Sequence, residues 1–212
     1  IHIPLGYGMT FYHKKINWNF YSKSQSGLND REIYYPRGKV LGGSSSINGM
    51  VYARGLDTDY ADWNDKDFWS LANIKNSFEE IEQKIDQNFK TIEQNKIPVN
   101  DVSNLHHPIL KYFFDGCEEL NIKFNKNLNT ENFNQVGHYN INTFKGIRQS
   151  SSKIFLKPIF NNDRIKIMNN TKVQKLILKD NKVVSLELQS RGNIFEIKPK
   201  IGTILSSGSI MT

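Results

Sequence analysis

The stretch PRGKVLGGSSSINGMVYARG, residues 36–55, is the most distinctive part of this 212-residue chain. Two adjacent glycines, Gly42 and Gly43, run into three serines and then into Asn48. Glycine lets a backbone pass close to another group or adopt a positive φ. Serine at the start of a helix accepts hydrogen bonds from the first N–H groups. The pattern therefore predicts a glycine turn followed by a serine-capped helix that ends at Gly55.

Such a turn also suits an electron-rich ligand. A helix N-terminus presents free N–H groups and the positive end of the helix dipole, which together favour phosphate binding. The hydroxyls of Ser44, Ser45 and Ser46 would add donors, and Arg37 and Lys39 would add positive charge nearby. From these residues alone, a purely structural turn and a ligand-binding turn both remain open.

The composition is that of a folded protein with an excess of positive charge. Hydrophobic residues make up 38% of the chain and aromatic residues 12%, which excludes a disordered protein. The net charge is +7, but the lysines are dispersed rather than clustered, which favours a solvated surface over a nucleic-acid-binding face. No apolar run is long enough to span a membrane. The single cysteine, Cys117, excludes an intrachain disulfide and favours a reducing, cytoplasmic location.

The middle of the chain predicts helices. Residues 73–90 carry apolar side chains at helical spacing, namely Ile74, Phe78, Ile81, Ile85 and Phe89. A second helix is predicted from His107 to Leu120. A short third helix is predicted after serines 150–152, ending before Pro158.

The last third of the chain predicts strands. Short β-branched runs (RIKIM, KVQKLIL, KVVSLELQ, NIFEIK and IGTILSS) alternate with turn signals at residues 179–181 and 191–193. This pattern indicates an antiparallel meander whose final, more continuously apolar run is a buried strand. The predicted fold class is therefore mixed α/β, or α+β.

The histidines form no recognisable metal site. Two of them, His106 and His107, are adjacent, and their spacing to Cys117 and His138 matches no zinc pattern. We therefore predict no metal site and treat all five histidines as ordinary surface or core residues: His2, His13, His106, His107 and His138.

The segment from Gly38 to Ala61 resembles the first signature of the glucose–methanol–choline (GMC) oxidoreductases, which are FAD-dependent alcohol dehydrogenases and oxidases. Further along, RIKIMNNTKVQKLIL resembles the strand pair that touches the adenosine end of FAD, and GTILSSGSIMT resembles the start of the second signature. The matching positions of the first signature are Gly38, Lys39, Leu41, Gly42, Gly43, Ser44, Ser45, Ile47, Asn48, Tyr52, Gly55 and Ala61.

The resemblance implies a domain organisation. It makes the chain part of an FAD/NAD(P)-binding Rossmann-like domain plus part of an antiparallel-sheet substrate or cap domain. Residues 1–65 would be the partial FAD-binding domain with the first signature. Residues 66–160 would be the helical, substrate-cap part, and residues 161–212 would return to the FAD-binding domain. The chain is therefore expected to be an internal piece of a longer protein.

The resemblance also implies cofactor contacts. Gly42, Gly43 and Ser44 would approach the ribityl-pyrophosphate portion of FAD, and the backbone at Val173 would meet the adenine. The family's catalytic histidine lies downstream of the second signature, hence beyond Thr212, so no catalytic residue is assigned in this chain. The positions that would line the flavin are Val40, Asn48, Gly49, Met50 and Val51.

The expected function is FAD-dependent oxidation of a CH–OH group, resembling choline dehydrogenase, with hydride transfer from the alcohol to flavin N5. A small-molecule alcohol is the expected partner and nucleic acid is not; the electron acceptor and the particular alcohol are left open. We expect residues 1–212 alone neither to retain FAD tightly nor to turn over. The alternatives are a basic nucleic-acid-binding module, with steeply salt-dependent binding, or a non-catalytic flavin-binding relative.

Overall fold

The computed structural model describes residues 1–63, 68–85, 91–130 and 134–212. Within these ranges, Ile1–Asn161 and Asn162–Thr212 are two separate compact units. The helices are α1 (Tyr7–Thr10), α2 (Asp57–Tyr60), α3 (Leu71–Ile81) and α4 (Leu110–Glu119), and the strands are β1 (Phe20–Tyr21), β2 (Tyr34–Tyr35), β3 (Val51–Tyr52), β4 (Glu82–Ile85), β5 (Ile97–Asn100), β6 (Lys123–Phe124), β7 (Gln135–Val136), β8 (Asn140–Ile141), β9 (Thr143–Phe144), β10 (Ile147–Arg148), β11 (Thr171–Lys179), β12 (Lys182–Ser190) and β13 (Asn193–Ile197).

The first unit contains a four-stranded sheet in the order β3-β8-β5-β4. The β4–β5 pair is parallel, and the other two pairs are antiparallel. Ile85 on the edge strand β4 and Val99 on the neighbouring strand β5 are each only 5% exposed, and β-branched residues favour such half-buried strand positions. Ile74 of α3 is also buried. The mixed α/β class predicted from the sequence is confirmed.

The helix predicted over residues 73–90 is shorter than expected. It begins after Ser70, whose Oγ accepts a 3.3 Å hydrogen bond from Asn73 N, and it ends at Ile81. The chain then becomes strand β4, so Ile85 is buried in the sheet and not on a helix face. Pairing with β5 overrides the helical periodicity here, as tertiary contacts often do. Phe89 lies outside the described residues.

The helix predicted to follow the serines is wrong. Residues Gly43–Ser46 form a single 3₁₀ turn, Met50 adopts a left-handed φ of 64°, and the chain enters strand β3 at Val51. Serine hydroxyls compete for backbone groups and so disfavour helix interiors. Valine and tyrosine at the following positions favour the strand. No helix dipole therefore acts at this turn.

Two other helix predictions are close to the structure. The helix expected from His107 to Leu120 is α4, which begins three residues later at Leu110. After the serines at 150–152, a π-helical turn covers Ser152–Leu156 and a 3₁₀ turn covers Lys157–Ile159. The helical path thus continues through Pro158, because proline in a first turn loses no required N–H bond.

The second unit is the predicted antiparallel meander, in the order β11-β12-β13. Two-residue turns join its strands, with positive φ at Asp180 and Asn181 and at Arg191 and Gly192. Ser185 of β12 is among the buried residues of this unit.

Two runs predicted as strands are not strands. RIKIM, residues 164–168, and IGTILSS, residues 201–207, have no strand assignment. An apolar run becomes a strand only where a neighbouring chain offers hydrogen bonds, and the described chain supplies none to residues 201–207. Ile204 is accordingly 92% exposed. In the part of the chain that the structure describes, no helix has the length and apolar character needed to cross a bilayer.

Candidate functional site

The loop from Pro36 to Gly55 folds tightly on itself at its glycines. A Cβ at Gly38 would lie 2.1 Å from the carbonyl oxygen of Gly43. Gly42 has a φ of 88°, and a Cβ there would lie 2.6 Å from Ser46 Oγ and 2.8 Å from Ser152 Oγ. These two glycines are therefore required by contacts of the protein with itself.

The three serine hydroxyls shape this loop. Ser45 Oγ donates to Gly42 O at 2.5 Å, and Ser46 Oγ donates to Leu41 O at 2.8 Å. Ser44 Oγ instead accepts from Gly38 N at 3.1 Å. Ser44 is exposed and, among the described residues, its hydroxyl hydrogen has no acceptor. Of the three hydroxyls expected to face a ligand, the one at Ser44 is thus the one still available as a donor.

The turn from Asn48 to Val51 uses its backbone amides in different ways. Asn48 N donates to Ser44 O at 2.9 Å, and Met50 N donates to Asn48 Oδ1 at 3.1 Å. The N–H of Gly49 meets no acceptor among the described residues, and nothing lies within 4 Å of the Cβ position at Gly49. Val51 is 50% exposed. The turn therefore presents a free amide hydrogen and an exposed apolar side chain.

A buried guanidinium supports this turn from the protein side. Arg148 is only 1% exposed, and its Nη1 donates to Asn48 Oδ1 at 2.7 Å and to Ser45 O at 3.1 Å. Its Nε donates to Ile1 O at 2.9 Å, while Nη2 is buried without a partner among the described residues. Burial lowers the pKa of this guanidinium. Sequence reasoning missed Arg148, because a single arginine carries no local pattern that indicates burial.

Val40 and Gly43 are joined by a backbone hydrogen bond within the loop. Val40 is half-buried, and its carbonyl accepts a 2.8 Å bond from Gly43 N. Gly43 has a φ of 53°, and nothing lies within 4 Å of its Cβ position. Unlike Gly42, Gly43 therefore leaves open space for another molecule.

A cationic cleft of about 460 Å³ opens at Leu41. Lys153 and Lys157 line it together with Ser152 and Phe160. Burial, and then the neighbouring charge of Lys157, lowers the pKa of Lys153. Together with Arg148, these lysines place positive charge next to the loop, which favours an anionic ligand there.

In the second unit, Val173 lies on β11 opposite Leu188 of β12, and its side chain is 47% exposed. The register shifts between Val173 and Lys175, which marks a β-bulge or irregularity of the kind that often occurs at binding sites. The contact between Val173 and adenine stays a prediction, as do the other cofactor contacts.

His2 is among the residues that line the cleft at Leu41, whereas His106 and His138 line a different cleft. The rings of His106 and His138 stack with their centroids 4.3 Å apart, beside a cleft of about 840 Å³ that no residue of the 36–55 loop lines. Burial, then the charge of His106, lowers the pKa of His138. Among the described residues, no three histidine, cysteine or acidic side chains come close enough to hold a metal ion.

Sequence matches to known proteins extend over nearly the whole of this chain. The family model described as GMC oxidoreductase matches residues 8–212. The chain is 32% identical to an alcohol dehydrogenase [acceptor] of Pseudomonas putida, over 100% of this chain and 39% of that protein. It is 27% identical to an oxygen-dependent choline dehydrogenase of Rhizobium johnstonii, over 99% of this chain and 38% of that protein. The chain thus spans about two fifths of the length of these relatives.

Solved structures show the same fold. Pyridoxine 4-oxidase from Mesorbium loti superposes with a TM-score of 0.79 at 21% identity, covering 93% of this chain and 40% of that one. A formate oxidase superposes with a TM-score of 0.75 at 17% identity, covering 94% of this chain and 37% of the formate oxidase chain. With the family match extending over residues 8–212, the chain belongs to the GMC oxidoreductase family.

Proposed function

We propose that this chain is the flavin-binding part of an FAD-dependent oxidoreductase that oxidises the CH–OH group of an alcohol. The observation that carries the proposal is the free N–H of Gly49, exposed on a turn that continues into the exposed side chain of Val51. The names of the relatives, an alcohol dehydrogenase and a choline dehydrogenase, support an alcohol substrate.

The residues present fit FAD in shape and charge. Gly49 has no side chain and open space beside it, which leaves room for a flat ring against the turn. Lys153, Lys157 and Arg148 supply positive charge for a cofactor that carries two phosphates. We assign Val40, Asn48, Gly49, Met50 and Val51 to the flavin, Gly42, Gly43 and Ser44 to the ribityl-pyrophosphate portion, and Val173 to the adenine.

FAD, when bound, supplies an isoalloxazine ring that accepts the hydride of the alcohol. The N–H of Gly49 is a fixed dipole, and such a dipole stabilises negative charge on a neighbouring acceptor without having to reorient. Val51 excludes water from the same surface by its apolar side chain. The proton-accepting base is assigned to no histidine of this chain.

The finer features of the function are also proposals. We infer a small-molecule alcohol as the partner and no role for nucleic acid, because the lysines are dispersed along the chain. The relatives' names point to different electron acceptors, so none is assigned. A cytoplasmic location rests on the single cysteine, Cys117.

The test uses the protein encoded by its full reading frame. We expect it to purify with bound flavin, visible by absorbance, and we expect choline or another alcohol in a small panel to bleach that absorbance without oxygen. Gly49→Leu should weaken FAD binding about tenfold or more, because a side chain there fills the open space. Gly27→Leu is the matched control, since its Cβ position is equally open but distant in sequence from the turn.

Three outcomes would contradict the proposal. Failure of the wild-type protein to bind FAD would remove the flavin assignment altogether. Equal FAD affinity of Gly49→Leu and Gly27→Leu would show that the turn does not face the cofactor. Bound flavin that no alcohol in the panel reduces would favour the non-catalytic relative.

A further inference from the structure

Arg148 carries a buried charge without a compensating carboxylate. Its side chain is 1% exposed, and all of its hydrogen-bond acceptors among the described residues are neutral oxygens. Burying an unpaired charge is costly, and apolar replacements of buried ionic groups are often as stable or more so. Stability of the unit alone therefore does not explain why a guanidinium occupies this position.

The contacts of Arg148 lead to the turn at Gly49. Asn48 Oδ1 accepts two hydrogen bonds, from Arg148 Nη1 at 2.7 Å and from Met50 N at 3.1 Å. Because both partners are pure donors, the side-chain amide can have only this orientation. The guanidinium thus fixes the carboxamide, and the carboxamide fixes Met50 N.

This arrangement restrains both peptide groups between Asn48 and Met50, because the bond from Met50 N to Asn48 Oδ1 closes a ring that contains them. Met50 has a φ of 64°, a left-handed conformation that costs a residue with a side chain roughly 1–2 kcal/mol. The bond from Met50 N to Asn48 Oδ1 compensates part of that cost. The peptide N–H of Gly49, which lies inside this closed ring of contacts, therefore keeps a fixed direction.

We propose that Arg148 is a positioning residue for the flavin: acting through Asn48, its guanidinium holds the N–H of Gly49 in the direction that stabilises negative charge on the reduced ring. The inference rests on the proposed function, and it adds a residue 100 positions away from the turn. Without Arg148, the carboxamide can rotate, and the reduced flavin loses part of its stabilisation.

The test measures flavin reduction in the holoenzyme carrying Arg148→Lys, Asn48→Ala or both. At a fixed solution potential, each single variant should lower the ratio of reduced to oxidised flavin about tenfold. This change corresponds to a reduction potential about 30 mV lower for a two-electron couple. The double variant should match Asn48→Ala alone, because Arg148 acts through Asn48. Arg54→Lys is the matched control: it alters another partly buried arginine, paired with Glu82, and should leave the ratio unchanged.

The outcomes separate this inference from the proposed function. A protein that binds no flavin contradicts the proposed function. A protein that binds and reduces flavin, but whose Arg148→Lys ratio equals that of the wild type, contradicts the positioning role. Additive losses in the double variant would show that Arg148 acts independently of Asn48. Asn48 is exposed, so Asn48→Ala should remain folded and interpretable even if an Arg148 variant is unstable.

Discussion

The hydroxyl oxygens of Ser45 and Ser151 lie 3.0 Å apart, although 106 residues separate them in the chain. Ser151 N also donates to Ser45 Oγ at 3.0 Å, and both hydroxyls donate to the carbonyl of Gly42. The two serine-rich segments are therefore held together in the folded chain by hydrogen bonds among Gly42, Ser45 and Ser151. These contacts explain the serines at positions 45 and 151, and they leave the hydroxyl of Ser44 as the donor proposed for the ribityl-pyrophosphate portion.

These shared hydrogen bonds predict that substitutions at Ser45 and Ser151 will affect the free energy of unfolding non-additively. Ser45→Ala and Ser151→Ala should each lower the free energy of unfolding by about 1 kcal/mol, the usual net value of a hydrogen bond. The double variant should lose less than the sum of the two, by about 0.5 kcal/mol or more, because the residues share partners. Urea denaturation measures all three, with the exposed Ser26→Ala as control. Strictly additive losses would show that the two hydroxyls act separately.

The close approach of the Gly43 backbone to Gly38 predicts that a side chain at position 38 will destabilise the protein. Gly38→Ala should destabilise the protein by about 3 kcal/mol, because its Cβ would overlap the backbone of Gly43, which no side-chain rotation can relieve. Gly27→Ala is the control, since nothing lies within 4 Å of its Cβ position; its effect should stay within about 0.5 kcal/mol. Thermal and urea unfolding measure both. Equal stability of the two variants would mean that Gly38 does not lie against the backbone of Gly43.

The sequence predicted those features that local chemistry determines. The turns at 179–181 and 191–193 were predictable because Asp, Asn and Gly, which adopt a positive φ more readily than other residues, lie there between β-branched runs. The end of α3 at Ile81 was not, because it depends on pairing with β5, whose strand begins 16 residues later at Ile97. Likewise the glycine-serine loop could be located from the sequence, whereas its support by Arg148 depends on a contact across 100 residues.

The second turn of the meander predicts a stabilising substitution. Arg191 has a φ of 50° ahead of Gly192, a geometry in which asparagine is preferred to arginine. Arg191→Asn should raise the free energy of unfolding by about 0.5 kcal/mol. The reverse change in the first turn, Asn181→Arg, should lower it by a similar amount, since Asn181 has a φ of 58°. Urea denaturation compares the pair, and a loss of stability in Arg191→Asn would contradict the turn geometry.

The contacts of Tyr52, which directly follows the turn from Asn48 to Val51, predict a pH dependence of stability. Its hydroxyl donates to Glu82 Oε1, which also accepts a 2.7 Å bond from Arg54 Nε, so that β3 is tied to β4. Burial, then the hydrogen bond and charge of Glu82, raises the pKa of Tyr52. In the unfolded chain a tyrosine ionises near pH 10. Above that pH the unfolded state binds fewer protons than the folded state, so stability falls as pH rises.

The comparison of wild type with Tyr52→Phe isolates this effect. Below about pH 10 the wild type should be more stable by about 1 kcal/mol, because it keeps the bond to Glu82. As pH rises above 10, this advantage should shrink, because only the wild type must keep a phenol protonated in order to fold. Tyr112→Phe, at an exposed tyrosine, should follow the wild type throughout. If the advantage of the wild type instead stayed constant through about pH 11, Tyr52 would titrate as an ordinary tyrosine. The contact between β3 and β4 would then not depend on the phenol proton of Tyr52.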